Sequence, residues 1–444
     1  MSLEYFEGPA GSGKTYSLVE ALKIVLNAHP LADHEAVLGL TYMHGSRRRM
    51  HGSLARVAAL RGRYHACTVD SLARALLCRW RTMARAIDPQ FDLGTAPDFE
   101  KICQIGALLL GKPVVSRWLA ARYPVVLVDE LQDCRGDHLE IIKALESSCH
   151  VIAAADGFQD LNSTGINEAV EWLHGSSGTK NLLTGNRRTK QPVLLKAADR
   201  LRAAQDCGEI LKSSLTSARN SNPAAGCAAR TLHFKGLKDV AILTPTGPDK
   251  SPFVRDVVAR LILKPIEPKG VNKPEGPFRV AWESSGEEEK AALLGKLGDL
   301  TVGVSLMRLR KLCANDTGAT RDLYEWAEKR FRLKGEVDFA EAGISAAVDR
   351  ILQSRRAFLP AASGMTIRAM TINQAKNREF EGVILLWPFS VGGGGGLESL
   401  RRRLYNALTR AKTWAVVIVQ DDPTGPSRLT KPPFSKPVKP GQSQ

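Results

Sequence analysis

The stretch EYFEGPAGSGKTYSLVEAL, residues 4–22, decides the fold of this chain. Residues 8–15 within it fit G-x-x-x-x-G-K-[ST], the pattern of a loop that binds nucleotide phosphates. A short apolar run precedes the loop, and apolar residues at helical spacing follow it from Tyr16 to Leu26. Because such loops connect a strand to the helix after it, the stretch predicts a P-loop at the start of an α/β domain.

Each part of this loop has an expected role. Its glycines let backbone N–H groups curve around the phosphates, and the N-terminus of the following helix adds partial positive charge. We expect Lys14 to reach the β- and γ-phosphates and the Thr15 hydroxyl to ligate Mg²⁺. A chance glycine-rich turn is the alternative interpretation. The residues expected to bind the nucleotide are Gly8, Pro9, Ala10, Gly11, Ser12, Gly13, Lys14 and Thr15.

The composition is typical of a basic globular protein with several domains. The chain has 444 residues, of which 43% are hydrophobic and 24% are charged. It contains 62 Lys and Arg against 46 Asp and Glu, a net charge of +16. This excess favours a polyanionic partner, nucleic acid before anionic lipid, although a merely basic soluble protein is the alternative.

Cysteine usage and hydropathy bear on the compartment. The eight cysteines show neither C-x-x-C nor a spacing with His that is typical of zinc sites. Such cysteines are typical of reduced thiols in the cytoplasm. No apolar run approaches the roughly 18 residues that a membrane span needs. We therefore expect a cytoplasmic protein that is not inserted in a membrane.

Apolar runs alternate with helical stretches over the first 190 residues and again between residues 239 and 420. This alternation is typical of parallel sheets with helices on both faces. Residues 288–358 are helical in character and read as an insertion in a second α/β domain. The proline-rich tail from Asp421 onward is expected to be disordered.

Two apolar strands end in polar residues that suit nucleotide hydrolysis. VVLVDELQD, residues 125–133, ends in adjacent carboxylates. We expect Asp129 to hold Mg²⁺, directly or through water, and Glu130 to polarise the attacking water. A strand that ends in solvated acids is the alternative. Gln159 follows the next apolar strand and suits γ-phosphate sensing, although an ordinary polar turn has the same appearance.

Two arginine-rich stretches accompany later strands of the chain. They are LLTGNRRTKQP, residues 182–192, and RRRLYNALTRAKTW, residues 401–414. An arginine that arrives from a second domain can neutralise the charge that develops on the γ-phosphate. The solvated basic face of a helix is the alternative for each stretch.

Taken in order, these stretches resemble the motifs of the UvrD/Rep-like (superfamily 1A) DNA helicases over nearly the whole chain. The P-loop stands at motif I. The other matching stretches are LTYMHGS (40–46, motif Ia), CTVDSLA (67–73, Ib), VDELQD (128–133, II), DGFQD (156–160, III), GNRRT (185–189, IV), TINQAKNREFEGVIL (371–385, V) and LYNALTRAK (404–412, VI). The resemblance implies two RecA-like P-loop domains that clamp ATP and Mg²⁺, with single-stranded DNA across their tops.

The resemblance also implies roles for single residues. Arg188 and Arg410 would reach the γ-phosphate from the far side of the cleft, and Glu379 would approach the ribose. The implied catalytic residues are Lys14, Glu130, Gln159, Arg188 and Arg410, and the residues implied to contact DNA are Tyr42, His44, Thr68, Asp70 and Thr371.

Several positions depart from the family pattern. Only seven residues precede the P-loop, so the glutamine-bearing segment that reads adenine is expected to be missing, unless the start is truncated or a distant residue replaces it. Arg187 stands where the family has a Tyr that stacks on adenine, and we expect it to stack on the base instead. Asn377 replaces a Gly of motif V, and Asn tolerates the left-handed backbone that Gly provides. Tyr42 is a candidate stacking platform for DNA, with a core tyrosine as the alternative.

The motif positions predict the domain boundaries. We expect a first RecA-like domain with the P-loop at residues 1–189 and a second at 190–250 and 363–420. Residues 251–362 would form a reduced, mainly helical insertion equivalent to the family's 2B domain. Residues 421–444 would form a disordered basic tail.

Two functions fit this organisation. The first is a DNA-dependent ATPase or helicase that translocates on single-stranded DNA, with 3′→5′ polarity implied by the resemblance. The second is a UvrD-like ATPase subunit of a nuclease complex, in Gabija-like phage defence or in recombination, that senses or feeds DNA without robust unwinding alone. The chain itself shows no recognisable nuclease motif. The order of the motifs excludes a P-loop kinase or a GTPase.

Overall fold

A computed structural model gives the fold of the chain. It describes residues 2–42, 44–90, 99–161, 167–283, 287–298, 300, 303–313, 318–358, 366–391, 396–422, 425 and 427–435. Within these residues the chain forms two six-stranded parallel sheets, each covered by helices. This architecture confirms the predicted α/β fold with two RecA-like domains and a small helical insertion in the second.

The first sheet has the strand order β3-β2-β4-β5-β1-β6. Its strands are β1 (Leu3–Glu7), β2 (Val37–Thr41), β3 (Tyr64–Thr68), β4 (Val125–Asp129), β5 (His150–Ala155) and β6 (Thr179–Leu182). Its helices are α1 (Lys14–Ala28), α2 (His44–Leu54), α3 (Val69–Arg79), α4 (Arg81–Ile87), α5 (Phe99–Leu110), α6 (Pro113–Arg122), α7 (Asp137–Glu146) and α8 (Glu168–Gly175).

Helices on both faces explain why the central strands of this sheet are nearly continuous apolar runs. β2 and β4 are buried at every residue. The register aligns the carboxyl ends of three strands, because Thr41 lies opposite both Thr68 and Asp129. Thr68, which is expected to contact DNA, and Asp129, which is expected to hold Mg²⁺, therefore lie at the same edge of the sheet.

The second sheet has the strand order β7-β14-β13-β8-β12-β9. The helices and strands of this domain are α9 (Pro192–Arg202), α10 (Gly208–Leu211), β7 (Leu215–Ala218), α11 (Ser221–Lys235), β8 (Val240–Thr244), α12 (Pro252–Leu263), β9 (Val280–Trp282), β12 (Ile367–Thr371), β13 (Phe380–Trp387), α17 (Gly396–Leu408) and β14 (Ala411–Gln420). Its two faces form separate apolar clusters, as in the first domain.

The insertion is smaller than its predicted span of 251–362. β9 pairs with β12, and α12 packs its buried apolar face on the second sheet. The insertion proper consists of α13 (Glu287–Leu297), β10 (Val304–Ser305), α14 (Leu306–Cys313), α15 (Ala319–Lys334), β11 (Asp338–Phe339) and α16 (Glu341–Phe358), which share a small core of their own. The sequence did not predict β9, because this strand has only three residues and follows a Pro- and Gly-rich segment that is typical of a loop.

The predicted disordered tail is ordered in part. Phe434 is fully buried, and its ring packs edge-on against Trp387 with centroids 5.3 Å apart. The backbone N–H of Cys207 donates to the carbonyl oxygen of Pro433 at 3.0 Å. A Cβ at Gly208 would lie 1.8 Å from the Phe434 carbonyl oxygen, so only glycine permits this contact. A single buried aromatic therefore anchors a segment whose composition predicts disorder. Residues 436–444 lie outside the described part of the chain.

Among the described residues, no helix combines the length and the apolar composition that crossing a bilayer would require.

Candidate nucleotide-binding cleft

The P-loop adopts a conformation that depends on its glycines. Gly11 and Gly13 have φ angles of 80° and 92°, in the left-handed region. A Cβ at Gly11 would lie 2.7 Å from the side chain of Asn186. That side chain donates from Nδ2 to the Ala10 carbonyl oxygen at 2.7 Å, and the N–H of Arg187 donates to the Gly11 carbonyl oxygen at 2.7 Å. Motif IV thus packs directly on the P-loop.

Lys14 lies under this loop and is 8% exposed. Its Nζ donates to the carbonyl oxygens of Gly8 at 2.9 Å and Pro9 at 3.1 Å, and it lies 3.7 Å from Asp156 Oδ2. The buried Ser12 hydroxyl has no hydrogen-bond partner among the described residues. The loop therefore holds a cation and an unpaired hydroxyl where phosphate oxygens are expected.

The two carboxylates of motif II follow β4, and Thr15 contacts the first of them. The Thr15 hydroxyl donates to Asp129 Oδ2 at 2.8 Å. Glu130 has a φ of 58°, which is uncommon for a residue with a side chain. Its Oε2 accepts from Gln132 Nε2 at 2.6 Å. Oxygen atoms of Thr15 and Asp129 form the kind of donor set that Mg²⁺ prefers.

The electrostatic surroundings separate the pKa values of these two carboxyl groups. Burial, and then the adjacent Glu130 carboxylate, raise the pKa of Asp129. Burial alone would also raise the pKa of Glu130, but the cations Lys14 and Arg49 outweigh it and lower that pKa. Glu130 is therefore held ionised, the state that a carboxyl group needs in order to polarise an attacking water.

Arg410 arrives from the second domain and contacts motif III of the first. It is 2% exposed, and its Nη2 donates to Gln159 Oε1 at 3.2 Å. Gln159 in turn donates from Nε2 to Asp156 Oδ2 at 2.8 Å. Burial and the neighbouring Arg188 lower the pKa of Arg410 to about 9, so its guanidinium stays charged at neutral pH.

Arg188 and Glu379 form an ion pair at the edge of the cleft. Arg188 Nε donates to Glu379 Oε1 at 2.8 Å, and its Nη1 donates to the Thr409 carbonyl oxygen at 2.7 Å. The structure thus brings both residues to the cleft and pairs them with each other. A ribose contact of Glu379 stays a prediction.

A single cavity of about 560 Å³ joins these groups. Three arginines of its wall, Arg48, Arg49 and Arg56, come from α2 and the turn after it. They belong to the basic stretch SRRRMHGSLARVAALRGR, residues 46–63, whose charge by itself suits the DNA backbone and predicts no role in the cleft. Met50 and Leu54 are buried against the sheet, which turns the opposite face of the helix, with these arginines, toward the cleft. Helical periodicity could have revealed this orientation.

The cavity is strongly cationic. Seven basic side chains and three carboxylates line it. The basic residues are Lys14, Arg48, Arg49, Arg56, Arg187, Arg188 and Arg410, and the acidic residues are Asp129, Glu130 and Glu379. Such an excess of positive charge suits a polyanion such as a nucleoside triphosphate.

Tyr405 and Arg202 also join the two domains, although the sequence assigned no role to either. Tyr405 Oη accepts from the Ala10 N–H at 2.7 Å. Arg202 Nη1 donates to Asp156 Oδ1 at 2.7 Å and to Tyr405 Oη at 3.3 Å. Tyr405 belongs to the motif VI stretch, so the resemblance could have pointed to it. Arg202 lies outside every motif.

Tyr16 is a further cleft residue that the sequence did not single out. Its side chain is 56% exposed beside the P-loop. The guanidinium carbon of Arg187 lies 5.0 Å from the centroid of its ring, within the range of a cation–π contact.

The residues expected to contact DNA lie at the carboxyl ends of strands in both sheets. Tyr42 follows β2, is 41% exposed and packs edge-on against His138 with centroids 5.4 Å apart. Thr68 ends β3, is buried, and caps α3 by accepting from the Ser71 N–H at 3.2 Å. His44 is the first residue of α2, and its side chain lies outside the described part of the chain.

The other two candidates are engaged with neighbouring side chains. Asp70 Oδ1 lies 2.8 Å from His138 Nε2. The Thr371 hydroxyl donates to Gln374 Oε1 at 3.0 Å. DNA contacts of all five residues stay predictions.

Motif V closes the cleft on the side of these strand ends. Lys376 Nζ lies 2.9 Å from Asp133 Oδ1, and Asn377 Nδ2 donates to the Ser46 hydroxyl at 2.5 Å. The φ of Asn377 is 65°, which confirms that Asn supports the left-handed turn at this position.

A family model of the UvrD-like helicase C-terminal domain matches residues 366–418, the segment that carries β12, β13 and α17. The segment holds motifs V and VI in the expected order. Over this segment the chain is similar to UvrD-like helicases, which supports the resemblance that the motifs indicate. No curated protein sequence matches this chain.

One solved structure similar to this chain is arterivirus nonstructural protein 10, a helicase, at 12% sequence identity and a TM-score of 0.38. The alignment covers 97% of this chain and 61% of that helicase.

Proposed function

We propose that this UvrD/Rep-like chain hydrolyses ATP with Mg²⁺, is stimulated by single-stranded DNA, and uses the hydrolysis to translocate along that DNA. The observation that carries the proposal is the contact between Arg410 of the second domain and Gln159 of the first. It lies at the wall of the cavity that the P-loop and Glu130 also line. An arginine in this position couples the charge on a phosphate to the closure of two domains.

The cleft suits a nucleotide with its metal. Two left-handed glycines, the unpaired Ser12 hydroxyl and the excess of basic side chains favour phosphate binding. Thr15 and Asp129 would hold Mg²⁺. When bound, Mg²⁺ neutralises charge on the β- and γ-phosphate oxygens. Lys14 would exchange its contacts with the Gly8 and Pro9 carbonyl oxygens for contacts with those phosphates.

Hydrolysis would depend on three groups around the γ-phosphate. Glu130, kept ionised by nearby cations, would orient and polarise the attacking water. Arg188 and Arg410 would neutralise charge as the phosphoryl group transfers. Both side chains already line the cavity, so little rearrangement would be needed before reaction.

Coupling to DNA would run through motif V and the strand ends. Lys376 and Asn377 of the second domain contact Asp133 and Ser46 of the first. Thr371, the candidate DNA contact, is the last residue of β12 and lies five residues before Lys376, which is on the turn that follows this strand. Opening and closing of the cleft would therefore change the distance between the DNA contacts of the two sheets. The 3′→5′ polarity rests on the family resemblance.

The decisive experiment measures ATP turnover of the full chain with and without single-stranded DNA. We expect DNA to increase turnover and Lys14→Ala to lose nucleotide binding. Stepwise translocation can then be followed on DNA labelled at its 5′ or 3′ end. Absence of DNA stimulation in a protein that binds ATP, or movement in the 5′→3′ direction, would contradict the proposal.

The small insertion bears on unwinding. In the part that the structure describes, its core contains helices α13–α16 and a two-stranded sheet, so this part offers little protein beyond the two RecA-like domains to open a duplex. We therefore expect weak unwinding by the isolated chain, as in an ATPase that works beside a nuclease. A strand-displacement assay on 3′-tailed duplexes tests this, and robust unwinding by the chain alone would favour an independent helicase.

A further inference from the structure

Three potential metal ligands from different helices meet beside motif Ib. Asp70 lies in the first turn of α3, Cys103 in α5 and His138 in α7. Asp70 Oδ1 lies 2.8 Å from His138 Nε2, and the Cys103 sulfur lies 3.5 Å from each of these atoms. Among the residues that the structure describes, they form the one group of three or more such ligand atoms within 4.8 Å of one another.

The spacing of these atoms is close to that of a tetrahedral zinc site. With Zn–S about 2.3 Å and Zn–N or Zn–O about 2.0–2.2 Å, sulfur lies about 3.5 Å from a nitrogen or oxygen ligand. Both sulfur distances have this value. The distance between nitrogen and oxygen ligands would be about 3.4 Å, so Asp70 Oδ1 and His138 Nε2, now 2.8 Å apart, need to separate by roughly 0.6 Å.

The surroundings favour a structural ion with one open position. Cys103 is fully buried, whereas His138 and Asp70 have side chains that are 19% and 27% exposed. Solvent therefore reaches the oxygen and nitrogen ligands but not the sulfur. The buried thiol of Cys134 lies outside the group of converging atoms.

We propose that Asp70, Cys103 and His138 bind one Zn²⁺ ion, with water in the fourth position. A thiolate, a carboxylate and a neutral imidazole carry two negative charges, which a divalent cation compensates. A soft sulfur with an imidazole and a carboxylate in near-tetrahedral spacing favours zinc over the hard cations Mg²⁺ and Ca²⁺. The proposal is independent of the ATPase proposal because it uses no residue of the nucleotide cleft.

Metal binding changes the protonation of the cluster. Burial, followed by the negative charge of Asp70, raises the pKa of Cys103 to about 12, so the metal-free cysteine is a thiol. Its sulfur lies 3.5 Å from Asp70 Oδ1, and the S–H donates a weak hydrogen bond to this oxygen. When Zn–S forms, that proton leaves to solvent, and one proton is released for each ion bound.

The site would stiffen the surface that we expect to meet DNA. It would connect α3, α5 and α7 and hold the His138 ring, against which Tyr42 packs edge-on. Tyr42 is a candidate platform for a DNA base. Zinc would thus act on the orientation of this side chain without contact to the nucleotide cleft.

The test begins with the wild-type full chain. It is produced with zinc in the medium, freed of loose metal on a desalting column, and analysed by inductively coupled plasma mass spectrometry. We expect about one zinc per chain, as for a specific site. Metal-free protein titrated with Co²⁺ should show the intense visible bands of four-coordinate cobalt and a thiolate-to-cobalt charge-transfer band in the near ultraviolet.

Variants locate the ion. Cys103→Ser and His138→Asn should lose the zinc and the charge-transfer band. Cys149→Ser replaces another buried thiol in the same core and should keep both. Asp129→Asn removes the expected magnesium ligand and should also keep the zinc. The site is refuted if wild-type protein retains no zinc, if its cobalt spectrum lacks the thiolate band, or if Cys103→Ser retains as much zinc as wild type. The wild-type measurements stand even where a variant fails to fold.

Discussion

Replacement of Arg410 by alanine tests whether the second domain takes part in hydrolysis. The side chain is almost fully buried, and its Nε donates to the Asn406 carbonyl oxygen at 3.1 Å. Its Nη2 donates to Gln159 at 3.2 Å. These two contacts hold the guanidinium at the wall of the cleft before any nucleotide arrives. A charge that is preorganised in this way stabilises a transition state without reorganisation.

We expect kcat to fall on the order of 10³-fold, at the lower end of the range for arginine fingers. This factor corresponds to about 4 kcal/mol of transition-state stabilisation. The lower end applies because Arg188 and Arg49 line the same cavity and retain part of the neutralisation. Arg410→Lys should recover little of the lost kcat, because an ammonium group cannot reproduce the two hydrogen bonds that the guanidinium donates from Nε and Nη2.

The assay is DNA-stimulated ATP turnover at saturating ATP, with nucleotide affinity measured separately through a fluorescent ATP analogue. The affinity should change less than about tenfold because Lys14 and the P-loop still bind the phosphates. Arg403→Ala is the matched control, since Arg403 lies on α17, the helix that ends at Leu408 just before Arg410, but does not line the cavity. A kcat within tenfold of wild type, in an Arg410→Ala protein with unchanged thermal midpoint, would refute the assignment.

Three further variants probe other walls of the cleft. Glu130→Gln should bind ATP and lose roughly 10²–10⁴-fold in turnover. In the wild-type protein, kcat should stay level as the pH falls from 8 to about 5, because the lowered pKa of Glu130 keeps this carboxylate ionised over that range. A steep fall of kcat with acid above pH 6 would contradict this role. Arg49→Ala removes one of the cations that lower the pKa of Glu130. We therefore expect kcat to drop about tenfold, and the pH below which kcat declines to be higher than in the wild-type protein. Arg47→Ala on the same helix is its control, and equal pH profiles for the two variants would exclude the effect. Tyr16→Ala should weaken ATP, GTP, CTP and dATP alike, because the Tyr16–Arg187 pair offers stacking without base-specific hydrogen bonds. In wild-type protein kcat/KM for these nucleotides should lie within about tenfold, or roughly 1.4 kcal/mol, and a preference for ATP above a hundredfold would disprove relaxed selectivity.

The sequence by itself determined the two α/β domains and most of the candidate catalytic residues that line the cleft. Strands of a parallel sheet are buried on both faces, so they read as continuous apolar runs such as VVLVD at β4. The P-loop is a local structure whose conformation depends on Gly11 and Gly13, so its pattern is readable without tertiary information. Glu130 and Arg410 could be placed because each stands at a fixed offset from a strand.

Only the tertiary structure decided which distant residues meet. Arg410 and Gln159 are 251 positions apart, and no periodicity links them. The short strand β9 and the buried ring of Phe434 depend on pairing and packing with segments far away in the chain, whereas local composition predicts a loop and a disordered tail. The basic run of α2 could be read as a DNA surface because sequence shows charge but not the direction in which a helix faces.

The same limit applies to the candidate zinc ligands. Spacing rules detect ligands that lie a few residues apart on one loop or helix. Asp70, Cys103 and His138 are 33 and 35 positions apart in succession and lie on three helices. They meet only because α3, α5 and α7 pack side by side in the apolar core against the first sheet. The side chains of the candidate sites are thus recognisable by type in the sequence, but the distances between them are set by the packing of helices and strands.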